Sequence, residues 1–151
     1  RSLLDLREVE KLNHSRERLF EYYYVCRQFE RVADHAVKMA QFVIEDGITI
    51  PDQLTQRLAD YGETARSVLN MSADVVLTDG DIEMAHRSLT ERDQLNEALE
   101  TENKTMYGHD QPDVAYMMGL LLDSIKRSAE YGANIAIIGI QQVLRNKGLE
   151  E

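Results

Sequence analysis

Residues 112–147 read PDVAYMMGLLLDSIKRSAEYGANIAIIGIQQVLRNK, and this stretch decides the fold. Its apolar and small residues recur at intervals of three and four positions: Ala115, Met118, Leu122, Ile125, Ala129, Gly132, Ala136, Gly139 and Val143. This spacing places them on one side of an α-helix, as a seam that packs against other helices. Because the second half of the seam is made of small residues, neighbouring backbones can approach closely there.

Proline and glycine divide the rest of the chain into further helical segments. Pro51 and Pro112 each open a helical pattern, where the missing N–H costs nothing, and Gly47 follows a helix as a C-terminal stop. Thr78–Asp81 and Gly108–Asp110 interrupt the pattern again. We therefore predict helices at about 2–46, 51–77, 80–104 and 112–147. No alternating, β-branched run bounded by turns competes with them, so the predicted fold class is all-α.

The first predicted helix carries a seam similar to that of the last one. Its members are Cys26, Phe29, Ala33, Ala36, Ala40 and Val43. Short connections make sequential helices antiparallel, so we predict an antiparallel four-helix up-down bundle with long first and last helices. The first, of about 45 residues, would extend roughly 65 Å. We assign residues 1–151 to one helical domain and, because Arg1 opens directly into a helical pattern, expect a fragment of a longer chain.

The charge balance restricts the classes of partner. The 151 residues include 27 acidic and 17 basic side chains, a formal net charge of -10, whereas nucleic-acid binding requires a basic surface. We therefore expect no direct nucleic-acid contact from this segment. The lone Cys26 excludes a disulfide framework and a Cys-based zinc site. The longest uncharged run, Tyr131–Leu144, is shorter than the roughly 20 residues of a membrane span, so we expect a soluble, cytoplasmic protein.

Apolar side chains outside the two seams predict a further interface. Tyr131, Ile135 and Ile138 lie on the side of the last helix away from its seam, and Tyr22-Tyr23-Tyr24 surrounds the first helix with aromatic rings. A helix that is apolar on more than one side is buried on more than one side. Four helices alone would leave these residues uncovered, so we predict a homo-oligomer or a docked partner.

Two segments of the long helices are similar to each other. Residues 29–40 (FERVADHAVKMA) align without gaps on residues 125–136 (IKRSAEYGANIA), a shift of 96 positions. Three positions are identical, and Asp34 aligns with Glu130. Two Ala-rich helices can match to this degree by chance, so the alignment indicates an internal repeat without establishing one.

Acidic side chains within these segments are the candidate metal ligands. Glu30 and Asp34 are spaced i and i+4 and so lie one above the other, at the edge of the predicted seam. Two like charges at this spacing repel, and a divalent or iron-type metal ion would relieve the repulsion. Glu130 keeps the later carboxylate in the second segment. The competing interpretation is a solvated surface on which the acids pair with neighbouring basic residues, namely Arg27, Arg31 and Lys38.

Two other patterns favour different functions. Glu83 and His86 form a Glu-x-x-His pair, the ligand unit of ferritin-like metal-binding bundles, although such folds need two pairs and this chain offers one. His35 is followed by Ala36-Val37-Lys38, as in histidine phosphotransfer modules, and the helical wheel places it roughly 150° from the seam and therefore exposed. Cys26 on the seam would be buried and inert. No Gly-flanked nucleophile or Gly-rich phosphate loop occurs, so we predict that the protein is not an enzyme.

The first of the two similar segments resembles a family signature. It reads Glu30-Arg31-Val32-Ala33-Asp34-His35-Ala36-Val37-Lys38-Met39-Ala40 and is similar to the Glu-Arg-x-x-Asp-His-Ala-x-x-x-Ala signature of PhoU phosphate-signalling proteins. The stretch Asp5-Leu6-Arg7-Glu8-Val9 resembles the opening of the same helix in that family. The family is built from two three-helix repeats, each ending in a signature helix. The resemblance implies that this chain holds the last helix of one repeat and one full repeat.

The resemblance implies a regulator of phosphate uptake and not a catalyst. Family members act on phosphate transporter components and, in bacteria, on the sensor kinase, so the membrane would be reached only through a partner. Some members bind metal clusters through residues that match Glu30 and Asp34. At position 130 this chain has glutamate where the family has aspartate. At position 126 it has lysine where the family has glutamate, so this position departs from the family pattern. In archaeal relatives an AbrB-like DNA-binding domain can precede the helical part.

Overall fold

The computed structural model describes residues 3–78 and 81–149. They form four α-helices: α1 (Leu3–Glu45), α2 (Asp52–Leu77), α3 (Ile82–Met106) and α4 (Pro112–Leu149). These residues contain no strand, so the all-α prediction is confirmed for this part of the chain, and every boundary lies within two residues of its predicted position. The predictions about Arg1 and about Asp79 and Gly80 lie outside the described residues, as do the side chains of Asp5, Leu6 and Val9.

Local chemistry explains where the helices begin and end. Gly47 follows α1 with a φ of 59°, a left-handed conformation that glycine adopts without strain, and it ends the helix as expected. Pro51 precedes α2, and its carbonyl accepts a hydrogen bond of 2.9 Å from the amide of Leu54. Asp81 caps α3 because its side chain accepts a hydrogen bond of 2.7 Å from the amide of Glu83.

Helices α2, α3 and α4 surround the main core. Its buried members come from all three helices: Leu54, Ala65, Leu95, Leu99, Met106, Val114, Met118, Leu122, Ile125 and Ala129. Between α2 and α3, Arg57 and Tyr61 both donate hydrogen bonds of 2.9 Å to the buried carboxylate of Glu102. Further along, the hydroxyls of Ser72 and Ser88 lie 2.7 Å apart. The paired residue numbers rise on α2 as they fall on α3, so these two helices run in opposite directions.

The predicted seam of α4 is confirmed. Its residues from Met118 to Gly139 are buried, and both ends of the seam are half-buried. A Cβ built on Gly132 would lie 3.1 Å from Val68 Cγ1, and one built on Gly139 would lie 2.3 Å from Val75 Cγ1. The expected close approach of backbones therefore occurs between α4 and α2.

Helix α1 lies mainly against α4, and over the described residues none of its Cα atoms is within 8 Å of a Cα atom of α2 or α3. Asn134 donates a hydrogen bond of 3.1 Å to the buried Gln28, and Gln142 donates one of 3.1 Å to Glu21. Lower residue numbers on α1 pair with higher ones on α4, so these two helices also run in opposite directions. Hydrogen bonds donated by the side-chain amides of Asn134 and Gln142 therefore help to fix the position of α1 along α4.

The predicted seam of α1 is wrong. The buried and half-buried side chains of this helix are Glu21, Val25, Gln28, Phe29, Val32, His35, Met39 and Phe42. Except for Phe29, the predicted seam residues are exposed: Cys26, Ala33, Ala36, Ala40 and Val43. We call these five, together with the exposed Leu12, Leu19 and Tyr22, the outer stripe of α1. Because α1 is apolar on two sides, periodicity alone could not choose the side that packs on α4.

Helix α1 covers the side of α4 that was expected to remain uncovered. Ile135 is fully buried, in a cluster with Val25 of α1 and Val76 of α2, and Ile138 packs against the same cluster. Tyr131 is half-buried. The prediction that four helices leave these α4 residues uncovered is therefore wrong, and the uncovered apolar surface lies on α1 instead.

Candidate functional site

The segment that resembles the family signature lies in the middle of α1 and has two unlike sides. Towards α4 it presents half-buried Val32, His35 and Met39. Its remaining side chains are exposed: Glu30, Arg31, Ala33, Asp34, Ala36, Val37, Lys38 and Ala40. Both predicted carboxylate ligands and all three alanines of the segment are therefore accessible to a partner or a solute.

His35 joins α1 to α4. Its Nδ1 atom lies 3.2 Å from the Ser124 hydroxyl, and its ring centre lies 5.7 Å from that of Tyr131. The guanidinium of Arg31 lies over the same tyrosine ring, 5.6 Å from its centre. Burial lowers the pKa of His35, and the positive charge of Lys38 lowers it further. The expectation that His35 lies exposed, as phosphotransfer requires, is therefore wrong.

The two candidate metal ligands of α1, Glu30 and Asp34, lie on its solvent side. Arg27 donates a hydrogen bond to Glu30, and this bond together with the charge of Glu30 raises the pKa of the guanidinium. Asp34 is exposed one turn further along. This arrangement leaves both interpretations open, because a carboxylate held by a surface arginine remains accessible to a cation.

Glu130 has a different environment. It accepts hydrogen bonds from Arg92 at 2.9 Å and from Asn96 at 2.7 Å, both on α3. The Oδ1 atom of Asn96 is buried there without a hydrogen-bond partner. Glu130 thus joins α3 to α4, while Glu30 and Asp34 lie on α1. Within residues 3–78 and 81–149, no group of three or more His, Cys, Asp or Glu side chains is placed to hold a metal ion, and the metal prediction stays a prediction.

The Glu83–His86 pair lies at the start of α3. Both side chains are exposed, and the amide of Glu83 is used by the Asp81 cap. In ferritin-like bundles the Glu-x-x-His residues project into the interior, so no feature of this pair supports that alternative. Cys26 is exposed as well, and the expectation of a buried thiol is wrong.

The sequence repeat corresponds to a symmetric contact between α1 and α4. With the shift of 96 positions, Ser124, Tyr131, Ile135 and Ile138 of α4 correspond to Gln28, His35, Met39 and Phe42. These α1 residues are buried or half-buried, so the two helices use corresponding faces against each other. The seam of α4 that packs on α2 and α3 corresponds in turn to positions 22, 26, 29, 33, 36, 40 and 43, most of which form the outer stripe.

Sequence reasoning missed the polar residues that join α1 to α4. Gln28, Asn134 and Ser124 were not selected, because a search for apolar periodicity passes over polar residues. The similarity of the two segments held part of the signal: Ser124, Tyr131, Ile135 and Ile138 have buried or half-buried α1 counterparts 96 positions earlier, whereas Asn134 corresponds to the exposed Lys38. A comparison of the two segments position by position would have indicated the shared face.

Comparisons with protein-family models, with curated proteins and with solved structures give no match to this chain. None of the helices, as far as the structure describes them, combines the length and the apolar character that crossing a membrane requires.

Proposed function

We propose that the chain is a non-catalytic regulator of phosphate uptake and phosphate signalling, of the PhoU type, that acts by binding other proteins in the cytoplasm. One observation supports the proposal most directly. The side chains of the signature-like segment that do not pack on α4, including Glu30, Ala33 and Asp34, lie together on the exposed side of one helix. Exposed carboxylates beside small side chains are accessible to basic groups of a partner protein.

The partners in this proposal are components of a phosphate transporter or its sensor kinase, as the resemblance implies. The small alanine side chains of the segment would let a partner helix approach the backbone of α1. Glu30 and Asp34 would then pair with basic residues of that partner or hold a divalent or iron-type ion.

The proposed architecture is an antiparallel up-down bundle of four helices. It is supported by the opposite directions of α2 and α3 and of α1 and α4. In this arrangement α1 connects the partner-facing surface to the core formed by α2, α3 and α4, through its contact with α4.

Labelled-phosphate uptake tests the proposal. Cells that lack the chain should take up phosphate without the normal restraint at high external phosphate, and the wild-type chain should restore that restraint. A Glu30→Ala/Asp34→Ala variant should fail to restore it. The matched control is Asp93→Ala/Glu97→Ala, which removes an exposed i, i+4 carboxylate pair from α3 and should restore the restraint fully. Unchanged uptake in cells without the chain would overturn the proposal.

A further inference from the structure

We propose that the chain binds inorganic phosphate in a surface pocket on α4, which we call the α4 pocket. The pocket has a volume of about 400 Å³ and is lined by five side chains of one helix: Asp123, Lys126, Arg127, Glu130 and Tyr131. The charges of these residues and their neighbours carry this inference, which goes beyond the proposed function and does not rest on it.

Helices α1 and α3 border the α4 pocket on its two sides. From α1 the guanidinium of Arg31 lies over the ring of Tyr131, 5.6 Å from its centre. From α3, Arg92 donates a hydrogen bond of 2.9 Å to Glu130. Because Arg31 extends towards α4 and away from the outer stripe, the pocket does not depend on what covers that stripe.

Arg31 and Arg127 lie on the same surface. They correspond to each other with the shift of 96 positions, as do His35 and Tyr131. The rings of His35 and Tyr131 lie 5.7 Å apart across the antiparallel helices, so an approximate two-fold axis passes close to them. Such an axis places corresponding side chains on the same side of the contact between α1 and α4. In agreement, burial lowers the pKa of His35 most, and the charges of Lys38 and Arg127 lower it further, although two nearby carboxylates oppose them.

The two carboxylates of the pocket differ in how far they are already paired. Glu130 accepts hydrogen bonds from Arg92 at 2.9 Å and from Asn96 at 2.7 Å. Asp123 has an ion pair of 3.6 Å with Arg127, and both of these side chains are more than half exposed. Asp123 therefore keeps acceptor capacity for a ligand, whereas Glu130 is held by α3.

Cations are in excess at the pocket. Within the described part of the chain Arg31 and Lys126 form no ion pair, and Arg127 keeps donors that its long ion pair leaves free. The other charges nearby form opposite pairs one helical turn apart: Asp34 and Lys38, and Glu100 and Lys104. In a chain with a formal net charge of -10, this local excess attracts an anion, and a dianion would compensate both unpaired cations.

Lys126 gives this pocket the opposite preference from that of the predicted metal ligands. With the shift of 96 positions it takes the place of Glu30, and Glu130 takes that of Asp34. An ammonium group at this position repels a metal ion and attracts an anion. The corresponding surfaces of α1 and α4 are therefore suited to ligands of opposite charge.

The carboxylate of Asp123 selects phosphate among the small dianions. Guanidinium and ammonium groups bind the oxygens of phosphate and of sulfate alike. Hydrogen phosphate also carries an O–H group, which can donate a hydrogen bond to Asp123. Sulfate and a fully ionised phosphate ester carry no such group, so the same carboxylate repels them. The pocket is therefore suited to free phosphate.

Isothermal titration calorimetry on the purified chain tests the proposal. The protein is freed of metal with EDTA, dialysed and titrated with sodium phosphate. One phosphate should bind per chain with a dissociation constant of about 1 mM or lower, since two charge-assisted hydrogen bonds suffice for that affinity. A titration without saturable binding in the millimolar range would overturn the proposal.

A matched pair of arginine variants locates the site. Arg127→Gln should weaken phosphate binding at least about tenfold, because it removes a charged donor. Arg66→Gln is the control: this guanidinium also pairs with an acid of its own helix, Glu63, but it lies on α2 and does not line the pocket. It should bind phosphate as the wild type does. Circular dichroism checks that both variants remain helical, and equal phosphate binding by the two would contradict the proposed site.

Three anions identify the ligand. At about pH 8, where a phosphate ester has lost its last proton, the wild type should bind phosphate at least about tenfold more tightly than sulfate or glycerol 2-phosphate. Asp123→Asn should bind sulfate several-fold more tightly than the wild type does, because the repelling charge is gone. If the wild type binds sulfate or the ester as tightly as phosphate, the assignment to free phosphate is overturned.

The Glu30→Ala/Asp34→Ala variant separates this pocket from the predicted metal ligands. It should bind phosphate as the wild type does, because neither side chain lines the pocket. Loss of binding in this variant would place the phosphate on α1 and overturn the α4 pocket. In the uptake assay, a chain that binds phosphate without restraining uptake would overturn the proposed function and support this inference alone.

Discussion

A hydrogen bond of 3.2 Å between His35 Nδ1 and Ser124 Oγ joins α1 to α4. The imidazole is half-buried, so its neutral form is favoured over the charged one. The bond comes from the middle of the signature-like segment and joins the α4-facing side of α1 to the core-forming helix α4. A change in the charge of His35 would therefore act on the contact that positions this segment.

We expect acid to weaken the contact between α1 and α4. The pKa of His35 is lowered in the folded protein, so the unfolded chain binds the proton first, from about pH 6.5 downwards. The stabilisation is present above that pH and is lost as the pH falls through the folded-state pKa. The free energy of unfolding in urea, measured above and below about pH 6.5, should fall less on acidification in His35→Gln than in the wild type.

The control for this prediction is His86→Gln, which removes an exposed histidine from α3. It should lose as much stability on acidification as the wild type does, since the change expected for His35→Gln comes from the half-buried contact with Ser124. If His35→Gln and the wild type lose stability equally on acidification, His35 does not cause the effect.

Gly139→Ala should destabilise the protein by about 1–3 kcal/mol, because the added Cβ overpacks a core contact. That atom would lie 2.3 Å from Val75 Cγ1, so either the Val75 side chain would have to leave its position or α4 and α2 would have to move apart. Gly62→Ala is the matched control within α2, where the new Cβ meets nothing within 4 Å. It should be stabilising by about 0.5–1 kcal/mol. Denaturant unfolding measures both changes, and a neutral Gly139→Ala would contradict the close approach.

Alkaline pH should destabilise the contact between Tyr61 and Glu102. Burial, with the hydrogen bond to Glu102, raises the pKa of Tyr61 to about 12. A raised pKa gives stability that is present below the unfolded value of about 10 and is lost as the pH rises through the folded value. Tyr61→Phe should therefore flatten the decline of the unfolding midpoint between about pH 10 and pH 12. Tyr107→Phe changes a tyrosine that is 90% exposed and serves as the surface control.

Metal analysis of protein purified without chelator tests the cation at Glu30 and Asp34. If the two carboxylates hold a metal ion, Glu30→Ala/Asp34→Ala should lose it, because neither carboxylate ligand remains in that variant. Asp93→Ala/Glu97→Ala and His86→Ala should retain it. Loss in His86→Ala with retention in the α1 variant would favour the ferritin-like alternative instead.

The local elements could be predicted because their causes are local. Gly47, Pro51 and Pro112 mark helix boundaries through their own backbone properties, so the predicted boundaries lie close to the observed ones. The seam of α4 could be predicted because its small and apolar residues form one continuous line. At the candidate site, the sequence indicated Glu30 and Asp34 at the edge of a helix face, and both are exposed.

The orientation of α1 was decided by tertiary structure. The sequence by itself determined that residues 3–45 form a long helix with apolar residues on several sides, because helix periodicity depends only on residue spacing. Which side packs on α4 depends on partners more than 80 positions away, such as Ser124 for His35 and Asn134 for Gln28. A polar side chain can be buried when a distant residue satisfies its hydrogen bond. That condition placed Gln28 inside and left Cys26 and the alanines of the outer stripe exposed.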